Sequence, residues 1–414
     1  MTDQRSMPAK RESGLAALQQ FLPNAGRQYA RTRNFDYGPD RRDNVSVLSP
    51  YVRHRLVLEE DLLRAVIEAH GFNDAQKFIE EVYWRTYFKG WLEHHPDVWA
   101  NYRNDLRAQV AELENDSEKR DRYNQAVAGQ TGIDCFDAWT RELAETGYLH
   151  NHARMWFASI WVYTLELPWQ LGADFFLRHL LDGDPASNTL GWRWVCGLHT
   201  RGKTYLARVS NIANFTNYRF NPRGQLATSA PPRTEDAVVR RMTVRPADTL
   251  PETDFGLLVT EEDGAPEIDL LGRAPVAALG LSATNDRSVL PVTPLVYDFA
   301  RDAVNDALDR VGRQFTCPSE AGGDRDWGET VRAWCARHGL ETVVTPWVPV
   351  GPARDRLDTL ETALHDDGIL VCRLRRPYDE DAWPCAGRGY FKLKRQIPEL
   401  LERLGLETAL LKTG

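Results

Sequence analysis

Nine of the chain's thirteen tryptophans fall between Trp84 and Trp194, and this crowding constrains the fold more than any other feature. Indoles at that density need broad apolar faces to pack against. The surrounding residues supply them with helical spacing. "LEEDLLRAVIEAHG" and "DAQKFIEEVYWRTYFKGWLEHHP" carry apolar residues three and four apart and stop at Gly71 and Pro96. "DCFDAWTRELAETG" and "HARMWFASIWVYTLELPW" repeat the pattern. The prediction is one all-α domain over residues 25–228, after a lead-in at 1–24.

The character then changes. "SAPPRTEDAVVRRMTVRPADTLPETD" is rich in breakers and reads as a linker over 229–252. Beyond it the short apolar runs "FGLLVT", "VAALGLS", "ETVVTPW" and "GILVCRL" alternate with helical segments such as "VYDFARDAVNDALDRVG" and "WGETVRAWCARHG". That alternation predicts a smaller Rossmann-like α/β domain over 253–414, making the chain multidomain. No GxGxxG or GxxxxGK[ST] occurs there, so a nucleotide site in the second half has no motif behind it.

Several classes are disfavoured. The six cysteines form no CxxC pair and the histidines no HExxH, so no metal is expected. No apolar run reaches the roughly 18–20 residues of a membrane span. The start "MTDQRSMPAKRESG" lacks the apolar core of a secretory signal, and the expectation is a cytoplasmic monomer. A net charge of −8 argues against general coating of nucleic acid. Yet Arg193 to Arg223 holds six Lys or Arg, no acid, and interleaved aromatics from Trp194 to Phe220. One basic, aromatic track on an acidic protein suits a local anionic ligand.

Three stretches of the helical domain carry chemistry, and a fourth joins them. "NVSVLSPYV" (44–52) offers hydroxyls and backbone N–H groups opening towards a helix. "EVYWRTYF" places Glu81, Trp84 and Arg85 on one helical face, and "TGYLHNHARMW" does the same for Asn151, Arg154 and Met155. In "LDGDPASNTLGWRW" Asp184, Asn188 and Trp192 would form one helical stripe of acid, amide and indole. Such a stripe makes a poor hydrophobic face and asks for a polar partner.

In this order and spacing, the four stretches resemble the FAD-binding catalytic domain of the photolyase/cryptochrome superfamily, from about Tyr29 to Trp194. The resemblance implies a flavin as the polar partner. Ser46, Val47, Leu48 and Ser49 would cradle the FAD diphosphate, with Tyr29 and Arg85 alongside. Asp184 would accept from the flavin ring N–H. Arg154, paired with Asp182, would sit near flavin N5, which Asn188 faces. An amide at that position hydrogen-bonds the ring without offering a proton, which suits the fully reduced flavin that repairs DNA.

The resemblance also implies a lesion pocket for cyclobutane pyrimidine dimers. Glu81, Trp84, Asn151, Met155 and Trp194 would line it, with Asn151 touching the cofactor side too. The two indoles would pack on the flipped-out dimer. His152 departs from the usual arginine, which puts one DNA contact in doubt. The remaining DNA contacts would come from Arg193, Arg201, Lys203 and Arg208. Trp192 and Trp169 match the inner two steps of the family's photoreduction chain, whereas the outer position falls near Asp116, which is no aromatic.

Conventional members carry an α/β antenna domain before the helical one. Here the α/β half follows, as in a bacterial subgroup with inverted domain order described as acting on single-stranded DNA. Its expected role is to cover the FAD site, with no residue supporting an antenna chromophore. The leading expectation is therefore a light-driven, FAD-dependent lyase acting on UV-damaged, single-stranded DNA. The rival is a cryptochrome-like photoreceptor without repair activity.

Overall fold

The structure is a computed structural model, describing residues 7–406 apart from Asp236 and Arg325. The outer ends of the predicted lead-in and α/β domain, 1–6 and 407–414, lie outside the described residues. Helices fill the first half, from Arg11–Phe21 to Val209–Phe215. The lead-in is part of this body. Leu18, Phe21 and Ala25 are buried in the core that the long helix Glu59–His94 also lines. That long helix contains one non-helical residue, Gly71, at φ 71°. The stop predicted there is a kink, because a glycine takes positive φ without a Cβ clash and the helix resumes at once.

The indoles pack as their density requires. Trp139, Trp156 and Trp161 are fully buried in one cluster with Phe157, Phe176 and Trp192. Gly172 makes room for this, since a Cβ there would lie 2.3 Å from the Trp192 ring and 3.0 Å from Trp161.

No described residue of 231–255 lies in a helix or strand. The segment follows the helical body first: Arg240 pairs with Asp97 at 2.8 Å and the Met242 N–H donates to His94 O at 2.7 Å. It then crosses to the sheet, where the Asp248 N–H donates to Arg373 O at 3.1 Å.

The second half is built on five strands, β1 (Gly256–Thr260), β2 (Ala277–Leu281), β3 (Ser319–Gly323), β4 (Thr342–Pro346) and β5 (Leu370–Leu374). They run in the order β3-β2-β1-β4-β5, and every neighbouring pair is parallel. Four strands match the predicted apolar runs. β3 was not predicted, because "SEAGG" is polar and small, and an edge strand with one partner tolerates that. Leu258 and Leu279 pack on one side with Val331 and Leu357, while Leu257, Val259 and Ala278 meet Val304 and Leu308 on the other. Helices thus cover both faces, as a parallel sheet needs.

Two helices beyond β5, Pro377–Ala386 and Tyr390–Arg403, return to the long helix Glu59–His94. Internal Pro384 and Pro398 obscured them in the sequence. The loop leaving β1 is a further attachment. Glu262 meets Arg53, the Gly264 N–H donates to His54 O at 2.7 Å, and Asp263 lies 3.6 Å from Arg55.

Candidate functional site

Helix Pro185–Val195 begins where the acid–amide–indole stripe predicts. Asp184 is its N-cap, accepting the Ser187 N–H at 2.7 Å, and Pro185 follows at the first helical position. One turn before it, Asp182 forms the wall of a cavity of about 200 Å³. The loop Val45–Ser49 lines the cavity, together with Tyr29, Arg33, Glu81 and the segment Tyr148–His152, with Arg154. Ten predicted site residues therefore share one space: Tyr29, Ser46, Val47, Leu48, Ser49, Glu81, Asn151, His152, Arg154 and Asp182. Val47 holds φ 51°, an uncommon conformation for a β-branched residue and one found at ligand-binding loops.

Charge is paired across this space. Arg154 Nη2 donates to Asp182 Oδ2 at 2.8 Å and its Nε to Leu149 O at 2.8 Å. The other Asp182 oxygen is buried without a hydrogen-bond partner. Arg33 donates to Glu81 Oε1 at 2.6 Å. Burial raises the Glu81 carboxyl above its ordinary value despite that arginine. Nδ1 of His150 accepts the His152 N–H at 3.1 Å, so its Nε2 carries the proton and donates to Arg33 O at 3.1 Å. Burial lowers the His150 pKa to about 4 and holds the ring neutral. His152 is tied by Nδ1 to Asn34 O at 2.8 Å and is also lowered by burial. An imidazole tied to a backbone carbonyl stands where an arginine would present a guanidinium fork.

Other expected members stand elsewhere. Asp184 is buried beside Arg85 (3.4 Å) and Lys89 (3.7 Å). Burial opposes ionisation of Asp184, but Arg85, Lys89 and Arg53 outweigh it and hold the acid well below the carboxylate range. Asn188 Nδ2 donates to Ala173 O at 2.8 Å. Trp84 lies on Tyr390, with centroids 3.5 Å apart, and Trp194 packs on Tyr205 at 5.5 Å. Neither indole lines the cavity, and nor does the half-buried Met155. Trp192 is buried edge-on to Phe176 at 5.1 Å, and Trp169 stacks on Tyr102 at 5.6 Å. Arg193 is buried and its fork is taken by Glu235, so it is not presented to a phosphate, whereas Arg201, Lys203 and Arg208 are exposed. Arg33, Tyr148, His150 and Lys89 were not foreseen. Lys89 follows Arg85 by four residues on the same helix, a spacing that extends the predicted face by one turn.

The donor set fits the polar parts of a flavin dinucleotide. The guanidinium of Arg154 and the Ser46–Ser49 loop suit a diphosphate or ring carbonyls, and the unpartnered Asp182 oxygen suits a ring or sugar donor. Among the described residues no group of three or more His, Cys, Asp or Glu is arranged to hold a metal ion, and no helix is long and apolar enough to cross a membrane.

Residues 78–239 match the family described as FAD binding domain of DNA photolyase, which supports placing this stretch in the photolyase/cryptochrome family. A deoxyribodipyrimidine photo-lyase of Thermus thermophilus is 36% identical over 217 residues, covering 52% of this chain and 48% of that protein. One from Streptomyces griseus is 34% identical over 183 residues, covering 44% and 38%. The chain therefore spans about half or less of the length of these curated relatives. Among solved structures, a bacterial class III photolyase from Agrobacterium tumefaciens is 26% identical with a TM-score of 0.42, covering 50% of this chain and 43% of that one.

Proposed function

We propose that this chain is a light-driven, FAD-dependent enzyme that splits cyclobutane pyrimidine dimers, with a preference for single-stranded DNA. One observation carries the reading. Glu81, Asn151 and the Arg154–Asp182 pair, drawn from three separate sequence stretches, line one cavity with the Ser46–Ser49 loop. Bound there, reduced FAD would supply the electron that opens the cyclobutane ring and would receive it back. The protein's part is binding and orientation. Arg154 and Asp182 would orient the cofactor. Glu81, held by Arg33 at the cavity wall, would hydrogen-bond the pyrimidine, and Asn151 would fix the base edge. The α/β half packs its β1 loop behind residues 53–55, and Arg53 Nε also donates to Gly183 O at 3.0 Å, which suits a covering role.

A second reading, a blue-light sensor without repair, draws on a different observation: Tyr390 occupies the Trp84 face that a dimer would need. Repair of a thymine-dimer oligonucleotide by the reduced protein under blue light separates the two. Single-stranded and duplex substrates are compared with a dark control. Light-dependent repair, stronger on the single strand, is expected; a flavin-loaded protein that repairs neither substrate is a sensor.

A further inference from the structure

Asp182 reaches the cavity from the turn 180–184, and the α/β half grips that turn through residues that do not line the cavity. Thr293 donates its N–H at 3.1 Å and its hydroxyl at 2.9 Å to Arg178 O, at the end of helix Trp169–His179. Arg53, fixed by Glu262, donates to Gly183 O at 3.0 Å. Gly351, the N-cap of helix Pro352–Asp366, lies against Pro185: a Cβ on it would stand 2.9 Å from Pro185 Cγ. The second half therefore touches the helix before the turn, the turn itself and the first residue of the helix after it.

Arg287 stands out among these contacts. It ends the helical turn Thr284–Arg287 after β2. Its Nη1 lies 3.2 Å from the place a Gly183 Cβ would take, a point also 3.0 Å from Leu180 O and 3.2 Å from Leu177 O. A side chain at 183 would crowd the guanidinium, so the glycine lets it come close. Arg287 is 3% exposed, yet neither Nη1 nor Nη2 has a hydrogen-bond partner. The nearby Glu261 carboxylate is occupied by the Ala283 N–H and the Thr284 hydroxyl. Burial first, and then Arg53, lower the Arg287 pKa to about 10. An unpaired buried cation weighs against the fold. What favours it here is its place beside the carbonyl end of a helix, against the residue next to Asp182.

We propose that Arg287 is a positioning residue of the cofactor site, supplied by the α/β half. It bears on Gly183 and thereby sets the direction of the Asp182 carboxylate and of Arg154, its ion-pair partner. The proposal rests on the flavin reading given above. On this view the α/β half does more than cover the site: its docking and cofactor binding strengthen each other.

The test is FAD binding by the full chain after bound cofactor is stripped, with the urea midpoint of the FAD-free protein measured beside it. Arg287→Leu should weaken FAD binding about tenfold, an ordinary coupling between two sites, while the FAD-free midpoint holds or rises. At saturating FAD the visible circular dichroism of the flavin should also change, because the ring's surroundings are re-aimed. Arg287→Lys keeps a cation at the helix end and should recover part of the affinity. Gly351→Ala pushes on Pro185 without changing charge and should weaken FAD binding too, which keeps the test decisive where the leucine variant folds poorly. Asp355→Asn loosens a different contact between the halves, the pair with Arg103 at 2.5 Å, and should bind FAD as the wild type does. Unchanged affinity in both Arg287→Leu and Gly351→Ala overturns the positioning role, and so does an equal loss in Asp355→Asn. A leucine variant that loses affinity and FAD-free stability together, without rescue by lysine, assigns Arg287 to the fold alone and overturns it as well. Affinities that fall as described in a chain that repairs no dimer sink the repair reading and leave this one standing. Repair by the wild type with unchanged affinity in both variants does the reverse.

Discussion

Arg53 and Glu262, 209 positions apart in the chain, meet in a two-pronged buried ion pair with N–O distances of 2.7 and 2.6 Å. Arg53 belongs to the helical half and Glu262 to the loop leaving β1, so the pair sits where the two halves join. Removing one partner strands a buried charge, which costs about 3–5 kcal/mol, whereas replacing both with apolar groups can be nearly neutral. Arg53→Met and Glu262→Leu should each lower the urea midpoint strongly, and the double variant should recover much of the loss. Additive losses would show that the pair does not act as a unit.

The Arg154–Asp182 pair allows a sharper test of the cavity. Asp182 has one oxygen on Arg154 and one buried without a partner. Asp182→Ala removes the waiting acceptor and leaves Arg154 with Leu149 O and the Tyr148 ring. Purified variant protein should carry little flavin, with retention weakened more than about tenfold, a loss above about 1.4 kcal/mol. The flavin absorbance-to-protein ratio measures this directly. Undiminished loading would move the flavin site elsewhere.

Glu81 bears on chemistry more than on cofactor binding. Its carboxyl faces the cavity and is held by Arg33 at 2.6 Å. Glu81→Ala should lower repair about ten- to a hundredfold, the loss of one hydrogen bond to a charged group at about 1.5–3 kcal/mol, while leaving flavin bound. Loss of flavin instead would put Glu81 on the cofactor side.

Much of this was legible in the sequence, and what was not has physical reasons. Asp184, Asn188 and Trp192 share a helix as their spacing predicts, yet they do not share a cavity. Which neighbour a side chain meets depends on tertiary packing: Lys89 reaches Asp184 from another helix, and Ala173 O takes the Asn188 amide. The Trp84 stack was out of reach because Tyr390 lies 306 positions away (390 − 84), and no local spacing links two residues so far apart. Glu81, Asn151 and Arg154 were legible because each came from a helical face of fixed period, whereas Tyr29, the Ser46–Ser49 loop and Asp182 were implied by the family resemblance and lie in loops or short helical turns that spacing does not encode.

If the proposed flavin is reduced by light, two aromatic branches offer the hole a way out of the core. Trp169 stacks on Tyr102 at 5.6 Å, and Tyr102 packs on Trp99 at 5.5 Å. Trp192 instead touches Trp161 at 6.2 Å, which continues to Tyr123 at 6.1 Å. If the Trp169 branch carries the hole, Trp169→Phe should slow photoreduction about tenfold or more with thiol as donor, while Trp161→Phe changes it little. The reverse pattern would assign the exit to Tyr123.

Acid should reveal the neutral His150. The ring accepts the His152 N–H at Nδ1, so a second proton would destroy that bond. Its pKa is lowered by burial to about 4, against about 6.5 in an unfolded chain. Between these values the unfolded state binds more protons, so the stability this site contributes is complete above about pH 6.5 and is lost as pH falls towards 4. Other groups titrate in the same window with the opposite sign; burial raises Glu60 to about 7, for example. The informative quantity is therefore the difference between wild type and His150→Asn. At pH 7 the variant should be the less stable, having lost the histidine's fitted bonds. Towards pH 4 the gap should close by up to about 3 kcal/mol, read from urea midpoints. A gap independent of pH would mean that His150 titrates in the folded protein as it does in the unfolded chain.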